Sequence, residues 1–394
     1  MQNRPKDSPP LVEGDAVQIL DAIVRLAIRE RASDIHLEPK IDQLKVRMRI
    51  DGAMVDVQGI NPAVGVQVMS RLKVLARMDI AERRLPQDGQ ISLELEGKTV
   101  SLRASTFPSS QGEKGVLRIL TGSTYVLPFA KLGFDPDAQR TLRDVMSRPQ
   151  GFIVTCGPTG AGKTSTLYAL LELVNTNDVN VVTLEDPVEV ELYGITQGQV
   201  HTRAGFTFAS GLRAILRQDP DVILVGEMRD SETAGIAMQA ALTGHLVMST
   251  LHTSDTVETI VRLIDLGIEP WIVANALSAV MSQRLVRVVC PHCKDSMKLE
   301  SDFWDGDELL IAAGTPIVKP RGCNRCMQSG YRGRTGIFEV LELDDELREL
   351  VKNKASSRAY RDIFARRKIK SLRRMGYERI VSGVTTVEEV RRVT

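Results

Sequence analysis

The spacing of apolar positions divides the chain into stretches of different character. Ile19, Leu20, Ile23, Leu26 and Ala27 recur at helical intervals behind Asp15, which stands where an N-cap belongs. A helix is therefore expected from there to about Arg31. Residues 45–51 alternate instead, with Val46, Met48 and Ile50 on one side and Arg47 and Arg49 on the other. That is the period-two signature of a strand. Helical spacing returns over 66–80. Ile91, Leu93 and Leu95 alternate, Gly97 marks a turn, and Val100, Leu102 and Ala104 alternate again. This predicts a hairpin with one buried face; the other face carries Ser101, Arg103 and Ser105. The segment 15–122 is thus expected to form a small α+β domain, preceded by a flexible leader at 1–14. The polar run Thr121-Gly-Ser-Thr marks the break before a linker at 123–128.

Over 129–285 the pattern changes. Short continuous apolar runs at 152–156, 180–184, 222–225 and 246–251 are separated by helical segments. Strands buried on both faces and alternating with helices predict an α/β domain with a parallel sheet. Residues 286–335 hold two cysteine pairs and several glycines. Residues 336–394 are charged and read as helical, with Thr386 an N-cap candidate.

A length of 394 residues suggests two or three domains. Hydrophobic residues at 43% and charged residues at 26% are ordinary globular values. A net charge of +1 gives no basic field that would draw nucleic acid. No run approaches the ~18 apolar residues of a membrane span, and the polar, proline-rich start does not resemble a signal peptide. Four of the five cysteines fall in C-x-x-C pairs, which fits a reducing compartment and a metal better than disulfides. A cytoplasmic location is expected, with any membrane contact made through a partner.

The sharpest chemical signal is Gly157-Pro158-Thr159-Gly160-Ala161-Gly162-Lys163-Thr164, which matches G-x-x-x-x-G-K-[ST]. An expected strand at 152–156 precedes it, and an expected helix from Ser165 to about Leu173 follows. Glycines let backbone N–H groups wrap a phosphate, and the helix N-terminus adds partial positive charge. Lys163 is expected at the outer phosphates and Thr164 at Mg²⁺. Parallel sheets bind ligands beyond the carboxyl ends of their strands, so later strand ends matter. They carry Glu185-Asp186-Pro-Val-Glu189, then Gly226-Glu227 with Arg229 and Asp230, then His252. Such groups hold Mg²⁺, polarise the attacking water or sense the terminal phosphate. The usual strand-end aspartate is replaced by Gly226-Glu227. Glu227 and Glu185 both stand as candidates for the catalytic base. Cys156, just before the loop, reads as a small buried residue.

Cys290-Pro-His-Cys293 and Cys323-Asn-Arg-Cys326 are two knuckles with 29 residues between them. Together they offer four thiolates, a set suited to structural Zn²⁺; His292 is a weaker rival ligand.

Several long motifs now point one way. Thr183-Leu-Glu-Asp-Pro-Val-Glu189, the stretch Ala214 to Asp230, and Leu242 to Thr253 with His245 and His252 resemble the acidic box, the Walker B segment and the histidine box of one family. It is the type II secretion and type IV pilus assembly ATPases. The resemblance runs from Ala32-Ser-Asp-Ile-His-Leu-Glu-Pro39 to the segment ending at Thr394. It implies a homo-hexameric ring whose subunits pair a PAS-like N-terminal domain with a RecA-like ATPase domain, nucleotide lying between the two. It implies that Arg103 and Arg118 complete the site, and that ATP and Mg²⁺ are bound. It also implies a tetracysteine zinc subdomain at 286–335, which the family's retraction branch lacks. The partners it implies are the platform and anchor proteins of an inner membrane. Larger members carry a further N-terminal docking domain, whereas here some 14 residues precede the first expected helix.

Other signals have plainer readings. Ser33-Asp34-Ile-His36-Leu-Glu38 is expected to serve packing and subunit contact; Arg47 and Arg49 have two readings, recognition of a phosphate or a neighbouring subunit and a plain solvated face; and the basic run Ala365 to Arg374 is expected on a charged helix, ahead of a contact with acidic lipid or a partner. Two rival functions remain at this level: a DNA-uptake or DNA-translocating ATPase, and a nucleotide-binding scaffold without turnover. Intact Lys163, Glu185 and Glu227 argue against the scaffold.

Overall fold

The computed structural model describes residues 14–95, 98–120, 126–305 and 308–394. The leader as far as residue 13, the hairpin turn at Gly97 and the break at Thr121 to Thr124, with the linker as far as residue 125, lie outside the described residues. Internal contacts gather into two compact units. One comprises Met1–Ser123, Val289–Asp295 and Pro320–Gly333; the other comprises Thr124–Val288, Ser296–Lys319 and Arg334–Thr394.

The first unit opens with α1 (Ala16–Arg29). Asp15 accepts from the N–H groups of Val17 and Gln18 while the Gln18 side chain returns to the cap, a capping box. β1 (Ala32–Pro39), β2 (Leu44–Ile50) and β3 (Ala53–Ile60) follow, then α2 (Pro62–Leu75), β4 (Gln87–Leu95), β5 (Lys98–Ser109) and β6 (Gly112–Leu120). They form one sheet in the order β3-β2-β1-β6-β5-β4 with antiparallel neighbours. Leu20 and Ile23 of α1 and Val68 and Leu72 of α2 are buried with Ile35, Leu37, Val46, Met48, Leu102 and Leu117 of the sheet. Both helices therefore cover the same face. The helix expected over 66–80 begins earlier, because Asn61 caps it and Pro62 occupies its first turn.

The second unit begins with α3 (Pro136–Met146), β7 (Gly151–Cys156), α4 (Lys163–Val174), β8 (Val181–Glu185), β9 (Thr196–Gln199) and α5 (Phe208–Ile215). β10 (Val222–Val225), α6 (Ser231–Leu242), β11 (Leu246–Leu251), α7 (Thr256–Asp265), α8 (Pro270–Ala276) and β12 (Leu277–Val289) continue it. Short strands β13 (Lys294–Lys298), β14 (Phe303–Asp305), β15 (Glu308–Ile311) and β16 (Pro316–Pro320) precede the long β17 (Tyr331–Glu342). Four helices close the chain: α9 (Asp345–Lys352), α10 (Ser357–Arg367), α11 (Leu372–Val381) and α12 (Val387–Val393). The main sheet runs β17-β12-β7-β11-β10-β8-β9. Its pairs from β12 through β9 are parallel.

Every residue of β7, β8, β10 and β11 is buried, which is why these strands read as unbroken apolar runs. Alternate residues enter cores on opposite faces. Phe152 and Val154 pack with Leu212, Ala237 and Ile260, whereas Ile153 packs with Leu167, Leu170 and Leu142. The basic run at 365–374 is partly spoken for. Arg366 and Arg367 pair with Glu346 and Asp344, and Lys370 lies 3.0 Å from Glu378. Among the described residues no helix is long and apolar enough to cross a membrane.

Candidate functional site

Parallel pairing places the carboxyl ends of β7, β8, β10 and β11 along one edge. The loop from Gly157 to Gly162 leaves β7 at that edge and enters α4, whose N-cap Gly162 has φ 87°. Gly157, at φ 147°, is forced twice over: a Cβ there would lie 2.6 Å from the Gln283 carbonyl oxygen of β12. Gln283 itself is buried and donates from Nε2 to the Ala161 carbonyl at 2.6 Å. The adjacent strand thus braces the loop from below. Pro158, Thr159 and Gly160 form its exposed tip, and Ser165 is exposed on the first turn of α4.

Lys163 is buried. Its Nζ donates to the carbonyls of Gly157 (2.7 Å) and Pro158 (3.2 Å) and lies 3.5 Å from His252 Nδ1. Burial pushes its ammonium pKa down, partly offset by the Glu227 carboxylate. His252 Nε2 is 3.7 Å from Glu227, whose carboxylate also pairs with Arg229 at 2.5 Å. Lys163, His252, Glu227 and Arg229 therefore form a continuous line across three strand ends. On the other side of Lys163, Thr164 Oγ1 lies 3.3 Å from Glu189 Oε1. Two cis oxygens of an octahedral Mg²⁺ with ~2.1 Å bonds stand ~3 Å apart, so this pair fits that ion. Asp186 is exposed; the Glu227 carboxylate above all, and Asp186 after it, raise the Arg229 guanidinium pKa.

The two glutamates singled out in the sequence have different surroundings. Glu185 is 3% exposed, and its carboxylate accepts from Tyr168 Oη, Thr183 Oγ1 (2.5 Å) and Gln197 Nε2 (3.1 Å). Three internal donors occupy most of its lone pairs. Glu227 is partly open to solvent. His245 is not brought to this edge. It sits before the first residue of β11, where its Nδ1 lies 3.0 Å from the Ala240 carbonyl oxygen. The length of the strand, ~20 Å for six residues, separates it from His252.

In the first unit, Arg103 and Arg118 are direct cross-strand partners on β5 and β6. Arg118 donates to Asp34 at 2.9 Å; Arg103 is exposed and has no ion pair among the described residues. Burial raises the Asp34 carboxyl pKa, but Arg118 and Ser33 outweigh it and hold the group below its ordinary value. Arg47 pairs with Asp56 at 3.1 Å, and Arg49 donates to the Gly52 carbonyl at 2.9 Å.

Cys290, Cys293, Cys323 and Cys326 converge, their sulfurs all within 4.8 Å of one another. The separations 290–323, 293–326 and 323–326 are 4.0, 3.8 and 3.7 Å. A tetrahedron with Zn–S of ~2.3 Å has edges of ~3.8 Å, so the cluster fits zinc. The N–H groups of Cys323 and Gly330 point at Cys326 Sγ, both at 3.2 Å, as donors to a thiolate. His292 turns instead to Arg325, 3.0 Å away.

Sequence reasoning missed Tyr168, Gln197, Gln283 and Arg284. Arg284 bonds the Ser254 carbonyl behind His252 (2.8 Å) and the Val393 carbonyl of α12 (3.1 Å). None of these belongs to a recognisable spacing, although Tyr168 follows Thr164 by one helical turn.

A profile of the family described as Type II/IV secretion system protein matches residues 12–392. Type II secretion system protein E of Pseudomonas aeruginosa is 47% identical over 384 residues, 97% of this chain and 76% of that protein. Type II secretion system ATPase E of Vibrio cholerae is 45% identical over 389 residues, 97% of this chain and 76% of that one. Among solved structures, the pilus retraction motor PilT with bound ADP superposes with a TM-score of 0.62 at 25% identity, over 97% of both chains. The Legionella pneumophila ATPase DotB superposes at 0.70 with 19% identity, over 100% of this chain and 98% of that one, a likeness of fold.

Proposed function

The chain belongs to the Type II/IV secretion system protein family and is an ATP-hydrolysing motor of secretion or pilus machinery, and from that premise we propose how its residues divide the work. Backbone N–H groups of 157–163 and the N-terminus of α4 hold the phosphates, with Lys163 at the outermost. Thr164 and Glu189 are the oxygen donors for Mg²⁺. That ion, when held there, would supply positive charge against the charge that develops on the phosphates. Glu227 orients the attacking water and takes its proton as the bond to the terminal phosphorus forms. ADP leaves, and the proton passes to solvent with phosphate. His252, between Lys163 and Glu227, couples the state of the phosphate to the position of that carboxylate. Arg103 supplies a cation for transition-state charge, and Arg118 serves the same cluster from its Asp34 tether.

What supports this reading is the line Lys163–His252–Glu227, with Thr164 and Glu189 beside it, at the carboxyl edge of a parallel sheet. Glu185 is read as a brace, because its carboxylate is committed to internal donors. The cysteine cluster is read as a structural zinc site. The first unit takes the PAS-like role, subunits work as a hexamer in the cytoplasm, and the cycle drives assembly of pilin-like subunits against an inner-membrane platform. The cysteine cluster favours assembly over retraction. Lys163→Ala should lower phosphate release by ~10²-fold or more; turnover near wild type would sink the phosphate-site assignment.

A further inference from the structure

Thr164 and Tyr168 stand four residues apart on α4, so their side chains share one face, a turn apart. The Tyr168 side chain is 2% exposed, with its ring in the core beside Leu167 and Leu171. Its hydroxyl leaves that core and reaches the segment after β8 at two points. It donates to Glu185 Oε2 and accepts from the Glu189 N–H at 3.3 Å. The Glu189 carboxylate then comes back to α4, 3.3 Å from Thr164 Oγ1. The contacts close a circuit: Thr164, one helical turn to Tyr168, the Glu189 backbone, the Glu189 carboxylate, and Thr164 again.

A second clamp acts on the same segment. Gln197 Nε2 donates to Glu185 Oε1 and to the Val190 carbonyl, both at 3.1 Å, and its Oε1 accepts from Leu192 N–H at 2.7 Å.

We propose that Tyr168 is a positioning residue for the divalent cation: by holding the Glu189 backbone, its hydroxyl sets the spacing between the Thr164 and Glu189 oxygens. The proposal rests on the nucleotide-site reading above. It does not make Tyr168 a ligand, since its oxygen is already shared between Glu185 and the Glu189 N–H. Partners that orient a metal's ligands commonly matter 10- to 100-fold for metal affinity.

Tyr168→Phe keeps the ring and removes only the hydroxyl. Binding of a slowly hydrolysed fluorescent ATP analogue to the full chain is measured in EDTA and over graded Mg²⁺. The expected result is unchanged binding in EDTA and a half-saturating Mg²⁺ concentration raised about tenfold. Glu189→Gln should show a similar shift, and the double variant no further one, because both act through one carboxylate. Gln197→Leu, which cuts the other clamp, carries the same expectation and serves if the phenylalanine variant does not fold. An unchanged magnesium requirement in a folded Tyr168→Phe, or shifts that add in the double variant, overturns the proposal; where that variant does not fold, an unchanged requirement in Gln197→Leu does so. A wild type that binds no nucleotide overturns the site reading and the proposal with it. A wild type that binds normally beside unshifted variants removes only the role of Tyr168.

Discussion

At the scale of single residues, environment separates two carboxylates that the sequence leaves equal. Glu227 faces His252 and solvent, whereas Glu185 is enclosed by Tyr168, Thr183 and Gln197. A base must meet water, so Glu227→Gln should lower kcat by ~10²-fold or more while nucleotide binding persists. Glu185→Gln brings an amide N–H₂ against groups that already donate. It should cost about 1–3 kcal/mol of stability, read as a lower denaturant midpoint. If Glu185→Gln abolishes turnover in a fully stable protein while Glu227→Gln remains active, the roles are reversed. His245 shows the limit of motif reading. It belongs to the same histidine-bearing stretch as His252, yet a whole strand lies between them.

Among the elements, legibility follows chemistry and burial. The strands that carry the site were visible because both faces are buried, and the observed β10 and β11 coincide with the expected 222–225 and 246–251. β1 was not predicted as a strand: Ile35 and Leu37 do alternate with Asp34, His36 and Glu38, but two apolar positions make a short signal. β12 and β17 were also missed. Their contribution is long-range, through pairing with distant strands and through Gln283 bracing the phosphate loop, and no local spacing encodes it. The Thr386 cap of α12 was legible, but not what the helix is fastened by. Glu389 is buried between Arg287 (2.7 Å) and Arg392 (2.6 Å). Burial raises its pKa, but Arg392 and Arg287 outweigh that and hold it below the ordinary range. A depressed carboxylate stabilises the fold above its unfolded pKa, and the stability is lost as pH falls through the folded value. Stability should therefore drop below about pH 4, and Glu389→Gln should remove about 3 kcal/mol at neutral pH and flatten that acid limb. The cysteine knuckles give a parallel test. Elemental analysis should find one zinc per chain, and Cys323→Ser should lose it together with thermal stability; a metal-free wild type of equal stability would end the zinc reading.

For the molecule as a whole, the proposed ring makes catalysis depend on assembly. Specific activity should climb with protein concentration, and Arg103→Ala should lower turnover ~10³-fold with little change in nucleotide affinity. Activity that is flat with concentration, beside a fully active arginine variant, would leave an ATPase but remove the ring from its mechanism. The path of the chain has a different consequence. It passes from one compact unit to the other after residues 123, 288, 295, 319 and 333. A ribosome delivering this polypeptide therefore cannot finish the first unit when its N-terminal sheet emerges. The two knuckles arrive only after most of the motor has been made, and Gly333, whose N–H donates to Asp51 at 2.6 Å, comes last. Until then the early sheet waits with part of its own contacts still untranslated. No single cut in the gene isolates either unit: deleting Met1–Ser123 leaves two pieces of the first unit inside the second, and deleting everything after Ser123 takes those pieces away with it.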